Sequence, residues 1–145
     1  MEHTLSLALH VLTARLDRAG DRLLRAEHGI SYSRFLALTL VGELGASTQR
    51  ALADALGVTE PSVSRMTAVL AADGLLNVEA EPDGGRRKRL SLTESGARLV
   101  AAVRQDFEDR LAALVARSGV PYDEYTRNTQ RLLDTLDQWE QGKKP

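Results

Sequence analysis

The sequence predicts a mainly α-helical fold carrying one small β-hairpin. Two short helical patterns meet at Leu56-Gly57-Val58, two short strand-like runs bracket Pro82-Asp83-Gly84-Gly85, and long apolar helical stripes lie on both sides of this centre. Two helices at a tight joint, followed by a hairpin, make Thr48 to Thr93 a winged helix-turn-helix.

The first helix is expected over residues 5–28, where Leu5, Leu9, Leu12, Leu16, Ala19 and Leu23 recur at three- and four-residue steps. Leu7, Val11 and Leu24 widen the stripe, and His28-Gly29 ends it. So apolar a start predicts packing on a second subunit, because large exposed apolar patches usually mark interfaces. Ser31 opens a second helix through Phe35, Leu36, Leu38, Leu40, Val41 and Leu44, ending at Gly45. It is nearly apolar all round and therefore expected to be buried.

A third helix runs from Gln49 to Leu56, with Leu52, Ala53 and Leu56 on one face and Thr48 as its N-cap. Gly57 stops it, since glycine takes up a left-handed turn without a Cβ penalty. Thr59 caps the next helix, and Pro61 sits in the first turn, where its missing N–H is no loss. Val63, Met66, Val69 and Leu70 are its expected buried stripe, leaving Ser62, Ser64, Arg65 and Ala68 on the open side. Small hydroxyls permit close approach to a groove, and an arginine can donate two hydrogen bonds to a guanine edge or reach a phosphate. The same core would also serve a protein-interaction module, since fold does not dictate function.

Strands are expected over Leu76–Glu81 and Lys88–Leu92, joined by glycines that supply positive φ and by proline and aspartate that start turns. Arg86, Arg87, Lys88 and Arg89 stand beside that turn. Such a tip suits a minor groove or a row of phosphates; the plainer alternative is a solvated hairpin end. Thr93 then caps a long helix through Leu99, Val100, Val103, Phe107, Leu111, Leu114 and Val115 to Arg117, with Gly119 as its break. Pro121 starts a last helix, whose apolar side holds Tyr122, Tyr125, Leu132, Leu133, Leu136 and Trp139.

At 145 residues the chain is about one domain long, enough to bury roughly two-thirds of its surface without staples. The absence of cysteine excludes disulfides, thiolate metal sites and cysteine nucleophiles. His3, His10 and His28 are scattered and read as surface or cap residues, so neither a metal nor a cofactor is expected. No stretch resembles a signal core or a membrane span, which points to a cytoplasmic protein without a membrane partner.

A net charge of −1 excludes a polybasic binder whose affinity comes from bulk charge, so any nucleic-acid contact must be local. Residues 47–93 hold six acids and six bases, and four of those bases crowd at 86–89. No catalytic constellation is visible. Asp106, Glu108 and Asp109 lie beside Arg104 and Arg110 at helical spacing, where charge pairing is the ordinary explanation, and neither Ser62 nor Ser64 has a neighbouring histidine. An enzyme is not expected.

Leu-Gly-Val-Thr-Glu-Pro-Ser-Val-Ser-Arg (56–65), Leu-Ala-Ala-Asp-Gly-Leu-Leu (70–76) and Gly-Arg-Arg-Lys-Arg-Leu-Ser-Leu-Thr-Glu-Ser-Gly (85–96) resemble the MarR family of bacterial transcription regulators. The resemblance is strongest from Ser31 to Gly96 and persists outside that range as helix pattern. It implies that the second helix of the motif enters the major groove with Ser62, Ser64 and Arg65, led by Thr59, Glu60 and Pro61. Gln49 and Arg50 match positions that usually meet the DNA backbone. The family's wing arginine falls on Arg86, but Gly84 stands where the family commonly has a bracing aspartate, and Asp83 is one place early. Either Asp83 reaches over, or Arg87 and Lys88 share the contact.

The resemblance also puts the helix after Ser31 where small aromatic effectors are often bound in the family, so Tyr32, Arg34 and Phe35 could line a pocket. The simpler reading, with Phe35 as core and the other two as surface residues, carries more weight. The function implied is a homodimeric, sequence-specific double-stranded DNA-binding transcriptional regulator. It would be a repressor on a pseudo-palindromic operator, released or modulated by a small aromatic effector. Residues 31–93 would be the DNA-binding lobe, and 1–28 and 94–145 the dimerisation helices, of a single domain over 1–145. A winged-helix protein-interaction module and a non-specific architectural DNA binder are the alternatives.

Overall fold

The computed structural model describes residues 4–45, 48–81 and 87–142. Along the chain they form α1 (Leu5–His28), α2 (Tyr32–Glu43), α3 (Gln49–Leu56), α4 (Glu60–Ala72), β1 (Leu76–Ala80), β2 (Lys88–Leu92), α5 (Glu94–Ser118) and α6 (Tyr122–Glu140). This is the expected mainly helical fold with a two-stranded wing. Two compact units, Met1–Arg104 and Gln105–Pro145, divide the chain.

In the first unit α1 stops at Gly29, and Ser31 caps α2 by accepting the Arg34 N–H at 3.3 Å. A second acceptor comes from α1, where Asp21 Oδ1 takes the Tyr32 N–H at 2.9 Å. Arg25 Nε donates to the other oxygen of the same carboxylate at 2.8 Å. The Tyr32 N–H first, and Arg25 second, hold the Asp21 carboxyl below the usual carboxylate range. Tyr32 itself is pushed up, mainly by burial and then by the negative charge and hydrogen bond of Asp17.

The second helix is not buried all round as its composition predicts. Phe35, Ala37, Leu38 and Val41 are buried, whereas Gly42 and Glu43 are exposed. Its main neighbours are α1, α3 and β2. Glu43, at the C-terminal end where the helix dipole disfavours an acid, is answered by an ion pair with Arg104 of α5.

Thr48 caps α3 by accepting the Ala51 N–H at 3.0 Å. Gly57, at φ 68, then turns the chain, and the Val58 N–H closes on the Ala53 carbonyl at 3.1 Å. Thr59 caps α4. In the wing, Leu76 faces Leu92 and Val78 faces Leu90 across an antiparallel pair, with Leu76 and Leu90 buried. The first strand ends at Ala80, one residue earlier than expected, although the Glu81 N–H still donates to the Arg87 carbonyl at 3.1 Å. Thr48 adds an isolated antiparallel bridge to Arg89, which ties the start of α3 to the wing.

One residue joins the wing to α5. The Thr93 hydroxyl donates to the Gly74 carbonyl at 2.7 Å and accepts the Gly96 N–H at 3.0 Å, as the predicted cap should. Gly96 lies directly on the Leu75 carbonyl, leaving no room for a Cβ.

In the second unit, Tyr122 of α6 donates its hydroxyl proton to Glu108 Oε2 of α5 at 3.1 Å, and that bond raises the tyrosine's proton affinity. Val115 is buried, but the apolar side of α6 lies open, with Leu132 63% and Trp139 57% exposed.

Gly96→Ala is expected to cost about 1–3 kcal/mol in urea or thermal denaturation, because the new methyl group must displace a backbone carbonyl. Asp21 makes a pH-dependent contribution. Its folded-state carboxyl titrates below the ordinary 3.8, so its stabilisation is present above that value and is lost as pH falls through it. The melting-temperature gap between the wild type and Asp21→Asn should be open at neutral pH and narrow progressively below pH 3.8.

Candidate nucleic-acid interface

The leading edge of α4 presents a hydrogen-bonded row. Thr59 Oγ1 accepts the Ser62 N–H at 3.3 Å and donates to Ser62 Oγ at 3.0 Å, while Arg65 Nη2 donates to Ser62 Oγ at 3.4 Å. Thr59, Glu60, Pro61 and Arg65 are exposed, and Ser62 and Ser64 are half-buried. Of the open face expected from the sequence, Ser62 and Arg65 are joined on this edge, whereas Ser64 and Ala68 lie outside the row. Glu60 stands in the first turn, where the helix dipole favours an acid.

Beneath this edge the buried stripe differs from the expected one. Val63, Thr67 and Leu70 are buried, Met66 is half-buried, and Val69 is 37% exposed. Spacing of four and then three residues from Val63 passes through 67 and 70, so the helical period did point to Thr67. Its hydroxyl masked the signal, and burial is tolerated because that hydroxyl is satisfied. Thr67 Oγ1 accepts from Gln49 Nε2 at 2.9 Å and donates to the Ser64 carbonyl at 3.2 Å.

Gln49 is thus half-buried and turned toward α4, whereas Arg50 beside it is exposed. On the wing, Arg87 and Lys88 are exposed, and Arg89 Nε lies 3.9 Å from Glu81 Oε1. Arg86 falls outside the described residues, as do Asp83 and Gly84, where the family's bracing aspartate was in question.

Of the three residues expected at an effector pocket, Phe35 belongs to the core. Tyr32 is half-buried and bound to α1 through Asp21 and Asp17, and Arg34 is half-buried. Among the described residues, no group of His, Asp or Glu could hold a metal ion, and no helix is long and apolar enough to cross a membrane. The chemistry on offer is that of hydroxyl and guanidinium donors at the start of α4, together with exposed cations on β2.

A sequence model of the MarR family matches residues 28–87. The chain is 33% identical over 135 residues to an HTH-type transcriptional regulator of Mycobacterium leprae, covering 92% of this chain and 91% of that one. It is 37% identical over 112 residues to an HTH-type transcriptional regulator of Mycobacterium tuberculosis, covering 77% of this chain and 75% of the relative. Among solved structures, MepR of S. aureus in complex with DNA superposes with a TM-score of 0.73 at 25% identity, over 95% of this chain and 99% of MepR. The winged helix-turn-helix, its hydroxyl-arginine edge and these relationships over most of the chain lead to one assignment: the protein belongs to the MarR family of transcriptional regulators.

Proposed function

We propose that this chain is a homodimeric, sequence-specific regulator that reads duplex DNA with α4 in the major groove and represses transcription from a pseudo-palindromic operator in the cytoplasm. The Thr59–Ser62–Arg65 row carries the reading, because it exposes donors where a helix N-terminal edge meets base edges and phosphates. The DNA complex of MepR supports it. Arg87 and Lys88 supply phosphate contacts from the wing, and Arg50 supplies them from α3.

Pairing of two copies is supported by the open leucines of α1, with Leu5 73% and Leu9 43% exposed, and by the open apolar side of α6. Each dimer would offer two copies of α4 to half-sites about one helical turn apart. A small aromatic effector acts by favouring one spacing of those two helices, with Tyr32 and Arg34 as its polar contacts. A protein-interaction module has no need of the hydroxyl-arginine edge and the cationic strand together.

Anisotropy titration against duplexes enriched from a randomised pool tests this reading. Arg65→Ala should lose about 1–3 kcal/mol of discrimination at one base pair. Arg87→Ala should instead weaken every duplex and reduce the salt slope by about 0.9. Salt-independent failure to bind any duplex would favour the interaction module, and equal binding to scrambled competitor the architectural binder. A panel of phenols and aromatic carboxylates that leaves the affinity unchanged would remove the effector from the reading. In analytical ultracentrifugation the wild type should sediment as a dimer, and Leu12→Glu combined with Leu136→Glu should shift it to monomer; a monomeric wild type would defeat the pairing.

A further inference from the structure

We propose that Gln49 is a positioning residue that acts through Thr67 to fix the roll of α4, and so determines which base edges Ser64 and Arg65 meet. The inference rests on the DNA-reading function proposed above and changes the role expected for Gln49, from a backbone contact to an internal strut.

The two helices also pack on each other, and both bury apolar side chains, Leu52 and Ala53 on α3 and Val63 and Leu70 on α4. Apolar burial is non-directional, so it keeps the helices together without specifying their rotation. The bond from Gln49 Nε2 to Thr67 Oγ1, at 2.9 Å, is directional, and among the described residues it is the one side-chain hydrogen bond between α3 and α4. Thr67 is fully buried, and its own proton goes to the Ser64 carbonyl at 3.2 Å. A relay therefore runs from the first residue of α3, through the core, to the backbone of the turn that carries Ser64 and Arg65. With the Gln49 amide removed, the fully buried Thr67 oxygen loses its incoming side-chain donor. Rotation of α4 then becomes a way to relieve it.

The test measures, for the full-length protein, the ratio of affinities for a pool-enriched duplex and its scrambled counterpart. Gln49→Ala and Thr67→Val should each lower this ratio roughly three- to tenfold, the scale of one internal hydrogen bond. The double variant should be no worse than either single one, the salt slope should be unchanged, and Thr67→Ser should restore the wild-type ratio. Arg50→Ala, as the contrast, should reduce the salt slope and leave the ratio intact. Should Thr67→Val fail to fold, Gln49→Met breaks the relay from the α3 side.

The proposal is overturned if Gln49→Ala weakens both duplexes equally with a reduced salt slope, which is the signature of a direct phosphate contact. It is also overturned if the two single effects add in full, or if the variants lower only the melting temperature and leave the ratio unchanged well below it. A wild type that discriminates while Gln49→Ala does so equally well defeats this inference alone; a wild type that binds no duplex takes the DNA reading down with it.

Discussion

A helix that must be read from outside must also be anchored from inside, and α4 has only 13 residues with which to do both. Its buried side takes positions 63, 67 and 70, and its leading edge takes 59, 62 and 65. These sets interleave in sequence, and the Thr67 bond to the Ser64 carbonyl links the buried side to the backbone of the leading edge. The surrounding elements answer to that constraint. The third helix supplies an apolar platform and one amide; the wing packs its Leu76–Leu92 end beneath the lobe; and Thr93 stitches the wing to the start of α5.

Most of this order was legible in the chain. Caps at Ser31, Thr48, Thr59 and Thr93 are where their hydroxyls predict them, because capping is a local interaction that three or four residues suffice to specify. The bounds of α1 and β2 follow equally local rules. The misreadings arose where a distant partner decides. The apolar stripe Val63, Met66, Val69 and Leu70 puts Val69 in the core, but Thr67 goes there instead, and the amide that satisfies it lies 18 residues earlier in the chain. Likewise, the composition of α2 says that it is apolar but not which of its residues its neighbours cover, and Gly42 and Glu43 stay exposed.

The candidate site divides in the same way. At the start of α4 the Thr59 cap and the exposed Arg65 follow from local sequence, but the pairing of Ser62 with Thr59 and Arg65 rather than with Ser64 does not. Nor does the role of Gln49, since at the first turn of α3 a glutamine can face either solvent or core, and only the position of α4 decides. Tyr32 follows this logic too. It reads as an aromatic surface residue, yet its backbone and its hydroxyl both answer to carboxylates on α1.

That last tie bears on how separable the winged helix-turn-helix is from α1. The first amide of α2 has its acceptor on α1, so the helix at the base of the lobe is completed by a residue that precedes it by 11 positions. A lobe cut at residue 31 would keep the Ser31 cap on the Arg34 N–H but lose the Asp21 acceptor of the Tyr32 N–H. The helix that supplies this acceptor is also the one that carries the exposed Leu5 and Leu9.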